Sequence, residues 1–352
     1  MIGAVTTQTQ PTWRPDLLGE GFEQCDLELP GGALATMVRY TGPRGPANAA
    51  ETDPTPPPSK ASDPSAGEAG VGQGPAATAV LYLHGFVDYF FHPHVAKAIA
   101  AHGHAFYAVD LRGYGRSIGR GNDQEIPNYV PDIAIYAEEL DAAAAVIRQA
   151  GHQNLVLLGH STGGLIGPLW AQARPSQLRG LILDSPWLDF NAGAFQRRAL
   201  TEFVHVLAKV APKAKFKGLH AYYGRALHVD SGGEWDFDLA WKPHDGFPVA
   251  AKWFSSIRRA QAQVKRGLTV DCPVLVMTSL RRGDNRHDHP EVLTTDSVLD
   301  PRQMWRLAPR LGMNIEVRAL EGGSHDLALS PEPIRSRYLT EITDWLDQIV
   351  LA

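Results

Sequence analysis

The chain has 352 residues, 44% of them hydrophobic and 20% charged, and a formal net charge of −5. That is apolar material for a sizeable core in one or two domains, and the mild acidity gives no electrostatic ground for expecting nucleic acid or an anionic membrane as partner. No stretch approaches the roughly 18 consecutive apolar residues of a membrane span. Residues 1–16 are polar, contain Pro11 and Pro15, and lack the basic and apolar regions of a secretory signal, so a cytoplasmic protein is expected. Cys25 and Cys272 are far apart, without metal-ligand spacing, and read as buried free thiols of a reducing compartment.

Two strands come first, Phe22 to Leu29 and Ala33 to Tyr40, joined by the turn Pro30-Gly31-Gly32. Residues 42–77 hold eight of the 26 prolines and almost no large apolar residue. Such a stretch cannot bury enough surface to offset its ordering entropy, which predicts a disordered surface insertion after an N-terminal segment 1–41. From Thr78 short apolar runs alternate with helical patterns. Strands are expected at Ala79–Leu83, Ala105–Val109, Leu155–Leu158, Leu181–Leu183, Pro273–Ser279 and Asn314–Leu320. Helices are expected at Pro93–His102, Pro131–Ala150, Thr162–Ala173, Pro301–Leu311 and Pro333–Val350. That rhythm means βαβ units: a doubly wound, mostly parallel sheet with helices on both faces.

The segment 187–262 breaks the rhythm. It is rich in aromatics, from Trp187 to Phe254, and carries Lys209, Lys213, Lys215 and Lys217. Inserted between two sheet strands, it should form a cap over the edge that bears the site. Most of its aromatics should pack the cap's own core and a few should line a pocket. The core is thus expected as 78–186 and 263–352, with the lysines on a solvated face able to attract an anionic substrate.

The pentapeptide Gly159-His160-Ser161-Thr162-Gly163 sits between a strand and a helix. A turn this tight strains the serine backbone and lifts Oγ clear of the sheet, and the flanking positions have no room for a Cβ. Serine attacks a carbonyl only if a base takes its proton, and the base needs a carboxylate to fix its tautomer. In a doubly wound sheet these groups follow in the order Ser, acid, His. His325 lies just after the last strand, in Gly322-Gly323-Ser324-His325. For the acid the loop after Pro273–Ser279 offers Asp284, nearest the strand end, then Asp288, Asp296 and Asp300, of which Asp300 is placed to cap the following helix. The backbone N–H of Thr162, at a helix N-terminus, is a donor for an oxyanion. His84 reads as an orienting residue. His92-Pro93-His94 and His287-Asp288-His289 lack further ligands at recognisable spacing, so no metal is expected, and the glycines near Gly113 lack a phosphate-cradling pattern, so no cofactor is expected. Pro168 falls inside the helix after the serine and should bend it.

Leu83-His84-Gly85-Phe86, Asp110-Leu111-Arg112-Gly113-Tyr114-Gly115-Arg116-Ser117, the Ser161 pentapeptide, Asp296-Ser297-Val298-Leu299-Asp300-Pro301 and Gly323-Ser324-His325 occur in this order. The set resembles the α/β-hydrolase fold, close to the serine aminopeptidase/monoacylglycerol lipase-like (S33-type) group, from Thr78 to the end apart from the cap. The resemblance implies that Asp296, first of a D-x-V-x-D-P element, is the acid, and that the Phe86 N–H is the second oxyanion donor. It implies a serine hydrolase cleaving a small carboxylic ester or acyl substrate. A peptidase or amidase, an acyltransferase and a non-catalytic ligand-binding relative are the alternatives. The polar stretch Leu280 to Thr295 is longer than is usual before the acid, which keeps Asp284 in view.

Overall fold

The computed structural model describes residues 11–42, 78–121, 126–190 and 194–351. Strands β1 (Arg14–Pro15), β2 (Phe22–Glu28) and β3 (Leu34–Tyr40) precede the expected insertion, which from residue 43 lies outside the described residues. Then come β4 (Thr78–Leu83), α1 (Pro93–Ala101), β5 (Ala105–Asp110), α2 (Ala137–Gln149), β6 (Asn154–His160), α3 (Gly163–Ala173) and β7 (Gly180–Asp184). The inserted part contributes α4 (Ala194–Val210), β8 (Lys215–Phe216), α5 (Ala221–Leu227) and β9 (Val249–Ala250). Helix α6 (Ala251–Arg266), β10 (Val274–Ser279), α7 (Pro301–Leu307), β11 (Ile315–Leu320) and α8 (Ile334–Leu351) complete the chain.

Nine strands form one sheet in the order β1-β2-β3-β5-β4-β6-β7-β10-β11, antiparallel up to the β3–β5 pair and parallel beyond it. The central strands are buried on both faces and divide their side chains with period two. Ala79, Leu81 and Leu83 of β4 and Leu155 and Leu157 of β6 pack on one side with α2, α3 and α6. Val80, Tyr82, Val156 and Leu158 pack on the other with α1 and α8. From β4 the chain first builds outward to β5 and then returns to place β6 on the opposite flank. The strand order therefore reverses at β4/β6, and the carboxyl ends of these two strands border the crevice where such sheets bind ligands.

Three expectations need correction. The helix expected from Pro131 begins at Ala137, because the Asp132 carboxylate accepts the Ala134 N–H (3.1 Å) and winds residues 133–136 as a 3-10 turn. The helix expected to reach Leu311 ends at Leu307: Pro309 has no N–H to continue the ladder, and Ala308–Arg310 closes as a 3-10 turn. The boundary expected at 262 falls inside α6, whose Trp253, Ile257, Ala260 and Val264 pack into the same cluster as α2 and α3. By packing, the inserted stretch ends at Ala250. Its aromatics do not close a core of their own either. Tyr223 and Phe237, with Trp235 and Trp241 at the margin, pack on Tyr89 and Phe91 from the loop after β4. Cys25 and Cys272 are buried and unpaired, as expected. Helix α3 runs through Pro168, for which the structure offers no functional account. Among the described residues no helix is long and apolar enough to cross a membrane.

Candidate active site

Strand β6 delivers Ser161 with φ +51°, a left-handed conformation that a non-glycine residue holds only under constraint. The constraint is visible on both sides. The Ser161 N–H donates to the Asp184 carbonyl (2.9 Å), and the Ser161 carbonyl accepts from the Trp187 N–H (2.9 Å). A Cβ on Gly159 would stand 2.7 Å from the Gly163 carbonyl oxygen, and one on Gly163 2.4 Å from that of Leu83. The glycines let the helix start against its own strand and against the end of β4.

His325 follows β11 through Gly322, whose φ is +78°. The Ser161 Oγ donates to His325 Nε2 (3.1 Å), and His325 Nδ1 donates to Asp296 Oδ1 (3.0 Å). The same Oδ1 accepts the N–H groups of Val298 (3.0 Å) and Leu299 (2.7 Å). Burial of Asp296 pushes its carboxyl pKa up, but the His325 charge and these three hydrogen bonds outweigh it and hold it below the usual carboxylate value. The long polar stretch before Asp296 is an excursion that returns to its start. The Asp296 N–H donates to the Arg281 carbonyl (2.9 Å) and the Gly283 N–H to the Asp296 carbonyl (2.7 Å), so Asp296 lies beside the end of β10. Asp284 is turned outward, bonded to the Arg286 N–H (2.9 Å), and Asp300 caps α7 through the Arg302 N–H (3.1 Å). Asp288 is exposed.

The loop after β4 passes directly over the serine. A Cβ on Gly85 would lie 3.1 Å from both the Ser161 Cβ and the His160 ring. Two residues on, Val87 has φ +53°, a strained conformation for a β-branched side chain. His84 anchors this loop: its Nε2 accepts the Leu111 N–H (3.0 Å), so Nδ1 carries the proton and donates to the Gly85 carbonyl (2.8 Å). Phe86 and Thr162 both line the cavity at Ser161, Thr162 immediately before α3.

Behind the serine lies a polar cluster that the sequence did not disclose. His160 is buried 3.9 Å from Asp184 and 3.8 Å from Asp326, too far for hydrogen bonds. Burial depresses its pKa to about 4, so the ring is neutral near pH 7. Asp184 and Asp326 share this interior. Burial and the Asp326 charge push the Asp184 carboxyl well above its ordinary value. Burial acts on Asp326 as well but is outweighed by the neighbouring His160 and His92, the His92 Nε2 hydrogen bond (3.1 Å) and Lys242, which hold its carboxyl below the ordinary value. The Lys242 ammonium, from the inserted segment, hydrogen-bonds the buried Asp88 carboxylate. Asp88, His160 and Asp326 offer ligand atoms within 4.8 Å of one another, a spacing a metal ion could use, but Lys242 already supplies the cationic charge at Asp88. His92 and His94 are held by Asp326 and the Ala328 carbonyl (2.8 Å), and His289 by the Asp284 carbonyl (2.6 Å). Asn285, in the polar stretch before Asp296, is buried: it accepts the Tyr223 N–H (2.6 Å) and donates to the His220 carbonyl (2.9 Å), tying that loop to α5.

The cavity over Ser161 has two ends. One carries Asp88, Lys242, His244 and Asn285. At the other, Phe86, Trp187 and Phe190 also wall an adjoining apolar branch, lined further by Leu200, Val204, Phe216, Val249 and Trp253.

Sheet order, strained serine and cavity together define an α/β hydrolase that works through a serine. Residues 74–281 match the family model of the serine aminopeptidases, S33, and the chain belongs to that family. It is 28% identical to a monoacylglycerol lipase of Mycolicibacterium smegmatis over 272 residues, 76% of this chain and 87% of that one. Two solved structures share the fold. The monoacylglycerol lipase of Paleococcus ferrophilus superposes with a TM-score of 0.59 at 18% identity, over 78% of this chain and 96% of its own. A soluble variant of the monoglyceride lipase of Saccharomyces cerevisiae gives 0.58 at 14% identity, over 99% and 100%.

Proposed function

We propose that the protein hydrolyses carboxylic esters of apolar acyl chains, of the monoacylglycerol type, through a Ser161–His325–Asp296 triad. The observation that carries this reading is the chain of hydrogen bonds from Ser161 Oγ (3.1 Å) through His325 to Asp296 (3.0 Å), opening on a cavity with an apolar branch. As Ser161 Oγ attacks the ester carbonyl, its proton moves to His325 Nε2. Asp296 keeps Nδ1 protonated and faces the imidazolium that forms. The carbonyl oxygen becomes an oxyanion, to which the N–H groups of Phe86 and Thr162 donate; one such donor is typically worth about 2.7–4 kcal/mol in the transition state. His325 then protonates the departing alkoxide, and a water activated by the same nitrogen cleaves the acyl-enzyme.

Residues 187–250 act as a cap that roofs the acyl branch. Recognition of a free peptide N-terminus would require an uncommitted carboxylate beside Ser161. Those that line the cavity, Asp88 and Asp326, are engaged by Lys242 and His92, which favours the ester over the peptide. The test is a panel of p-nitrophenyl esters from acetate to palmitate, with a monoacylglycerol and an aminoacyl anilide. Efficiency should rise with acyl length and the anilide should be inert. Cleavage of the anilide alone would refute the reading.

A further inference from the structure

Tyr223, in the first turn of α5, is bonded at both ends to loops that carry other residues of the site. Its backbone N–H donates to the Asn285 side-chain oxygen (2.6 Å), and the Asn285 amide donates to the His220 carbonyl (2.9 Å). Its hydroxyl accepts the Asp326 N–H (3.0 Å). Asn285 belongs to the excursion that ends on Asp296, and Asp326 follows His325 directly. One inserted residue therefore spans the loop of the proposed acid and the loop of the proposed base. Tyr223, Asn285 and Asp326 are all buried, so water does not compete for these bonds.

The anchored amide is the one that bears on His325. The Asp326 N–H lies in the rigid peptide plane that follows His325, so fixing its direction fixes the backbone from which the imidazole projects. Neighbouring amides of this loop are served from within the core. Ser324 N–H donates to Ser330 Oγ (3.0 Å), Leu327 N–H to the Asp184 carboxylate (3.2 Å) and Ala328 N–H to the Asp326 carboxylate (3.1 Å). The Asp326 N–H goes to the inserted segment instead. The Tyr223 ring also stands edge-on to the His325 ring, at 78° and 6.1 Å between centroids, and the His160 ring lies 5.1 Å from it. Tyr223 lines the cavity as well, but a wall needs only the ring. Here the hydroxyl and the backbone N–H are both committed to loops of the site.

We propose that Tyr223 is a positioning residue: held by Asn285, it fixes the His325 backbone through the Asp326 N–H and so makes alignment of the base on Ser161 depend on the inserted segment. The proposal rests on the triad reading but not on which acyl bond is cleaved.

The test is Tyr223→Phe, which keeps the ring and removes the acceptor of the Asp326 N–H. Rates are taken per active site, titrated to completion with a fluorophosphonate, so that any unfolded fraction drops out. The rate constant of labelling should fall about tenfold to a hundredfold, the scale of an ångström-sized misplacement. Turnover of p-nitrophenyl acetate and palmitate should fall by one common factor, because alignment does not depend on acyl length. The pKa of the base in the kcat/KM profile should also fall, since an imidazolium less closely held to Asp296 is less stabilised. Asn285→Ala, whose lost bonds go to Tyr223 and His220, should slow labelling too. Tyr223→Phe/Asn285→Ala should be no slower than the slower single variant, as for residues that act as one unit.

A Tyr223→Phe variant that labels at the wild-type rate with an unmoved pH profile overturns the proposal, even if its unfolding midpoint drops. A loss confined to the palmitate ester would make Tyr223 a wall of the acyl cavity, and additive losses would make Asn285 independent of it; either overturns the proposal. Wild type that does not label removes the triad reading and the proposal with it. Wild type that labels but cleaves no ester removes only the substrate, and the labelling rates of the variants still decide the positioning role.

Discussion

Replacing Asp296 by Asn separates charge from geometry at this site. Among the described residues, three hydrogen bonds to the Asp296 carboxylate converge on Oδ1, while Oδ2 is buried without a partner. An asparagine with its carbonyl oxygen at the Oδ1 position keeps the Val298 and Leu299 amides and the His325 Nδ1 proton. What it loses is the negative charge facing the imidazolium. With charge centres about 4 Å apart and an effective dielectric of about 20, that attraction is about 4 kcal/mol. At 1.36 kcal/mol per decade the turnover number should fall about a thousandfold, with KM little changed. The assay is steady-state hydrolysis of a p-nitrophenyl ester at pH 8, with Asp284→Asn in parallel. Asp284 is turned outward, away from His325, so its variant should stay within about twofold of wild type, as a surface substitution usually does. A loss below tenfold in Asp296→Asn, or a large loss in Asp284→Asn alone, would refute the reasoning.

Leu200→Trp should narrow the apolar branch, cutting kcat/KM for a palmitate ester by about tenfold or more, in line with loss of one to two methylene-sized contacts, while sparing the acetate ester; equal effects on both would reject the branch as the acyl site. Lys242→Met leaves the Asp88 carboxylate buried without its cation, which typically costs about 3–5 kcal/mol, and adding Asp88→Asn should restore much of the lost melting temperature; additive losses would show that the pair is uncoupled. Burial holds the His94 pKa at about 4 against an ordinary 6.5. Between these values the unfolded chain binds more protons than the fold, so stability falls as pH drops from 6.5 toward 4, by at most about 1.4 kcal/mol per pH unit for this group. His94→Gln should flatten the denaturant-midpoint slope over that window, and an unchanged slope would contradict the burial argument.

The sheet and the candidate nucleophile were legible in the sequence because each rests on local rules. Apolar runs of β4, β6 and β10 alternate with helical patterns, and Gly159 and Gly163 mark a turn with no space for a Cβ. His325 was legible from its place after the last strand. Asp296 was not legible from distance along the chain. The bonds that return residues 281–296 to the end of β10 are long-range pairings with no local signature, and only the resemblance pointed to it. The cluster of Asp88, His160, Asp184, Asp326 and Lys242 was invisible for the same reason: five residues from separate elements meet only after folding. Composition misled once: aromatics expected to pack a core within 187–262 complete one begun by Tyr89 and Phe91.

Covalent labelling of the nucleophile tests the Ser161 assignment most directly. The protein is incubated with a fluorophosphonate, digested, and the modified residue located by mass spectrometry. One adduct is expected, on Ser161, formed far more slowly in His325→Ala and absent in Ser161→Ala. No adduct in folded protein, or an adduct on another serine, would contradict it.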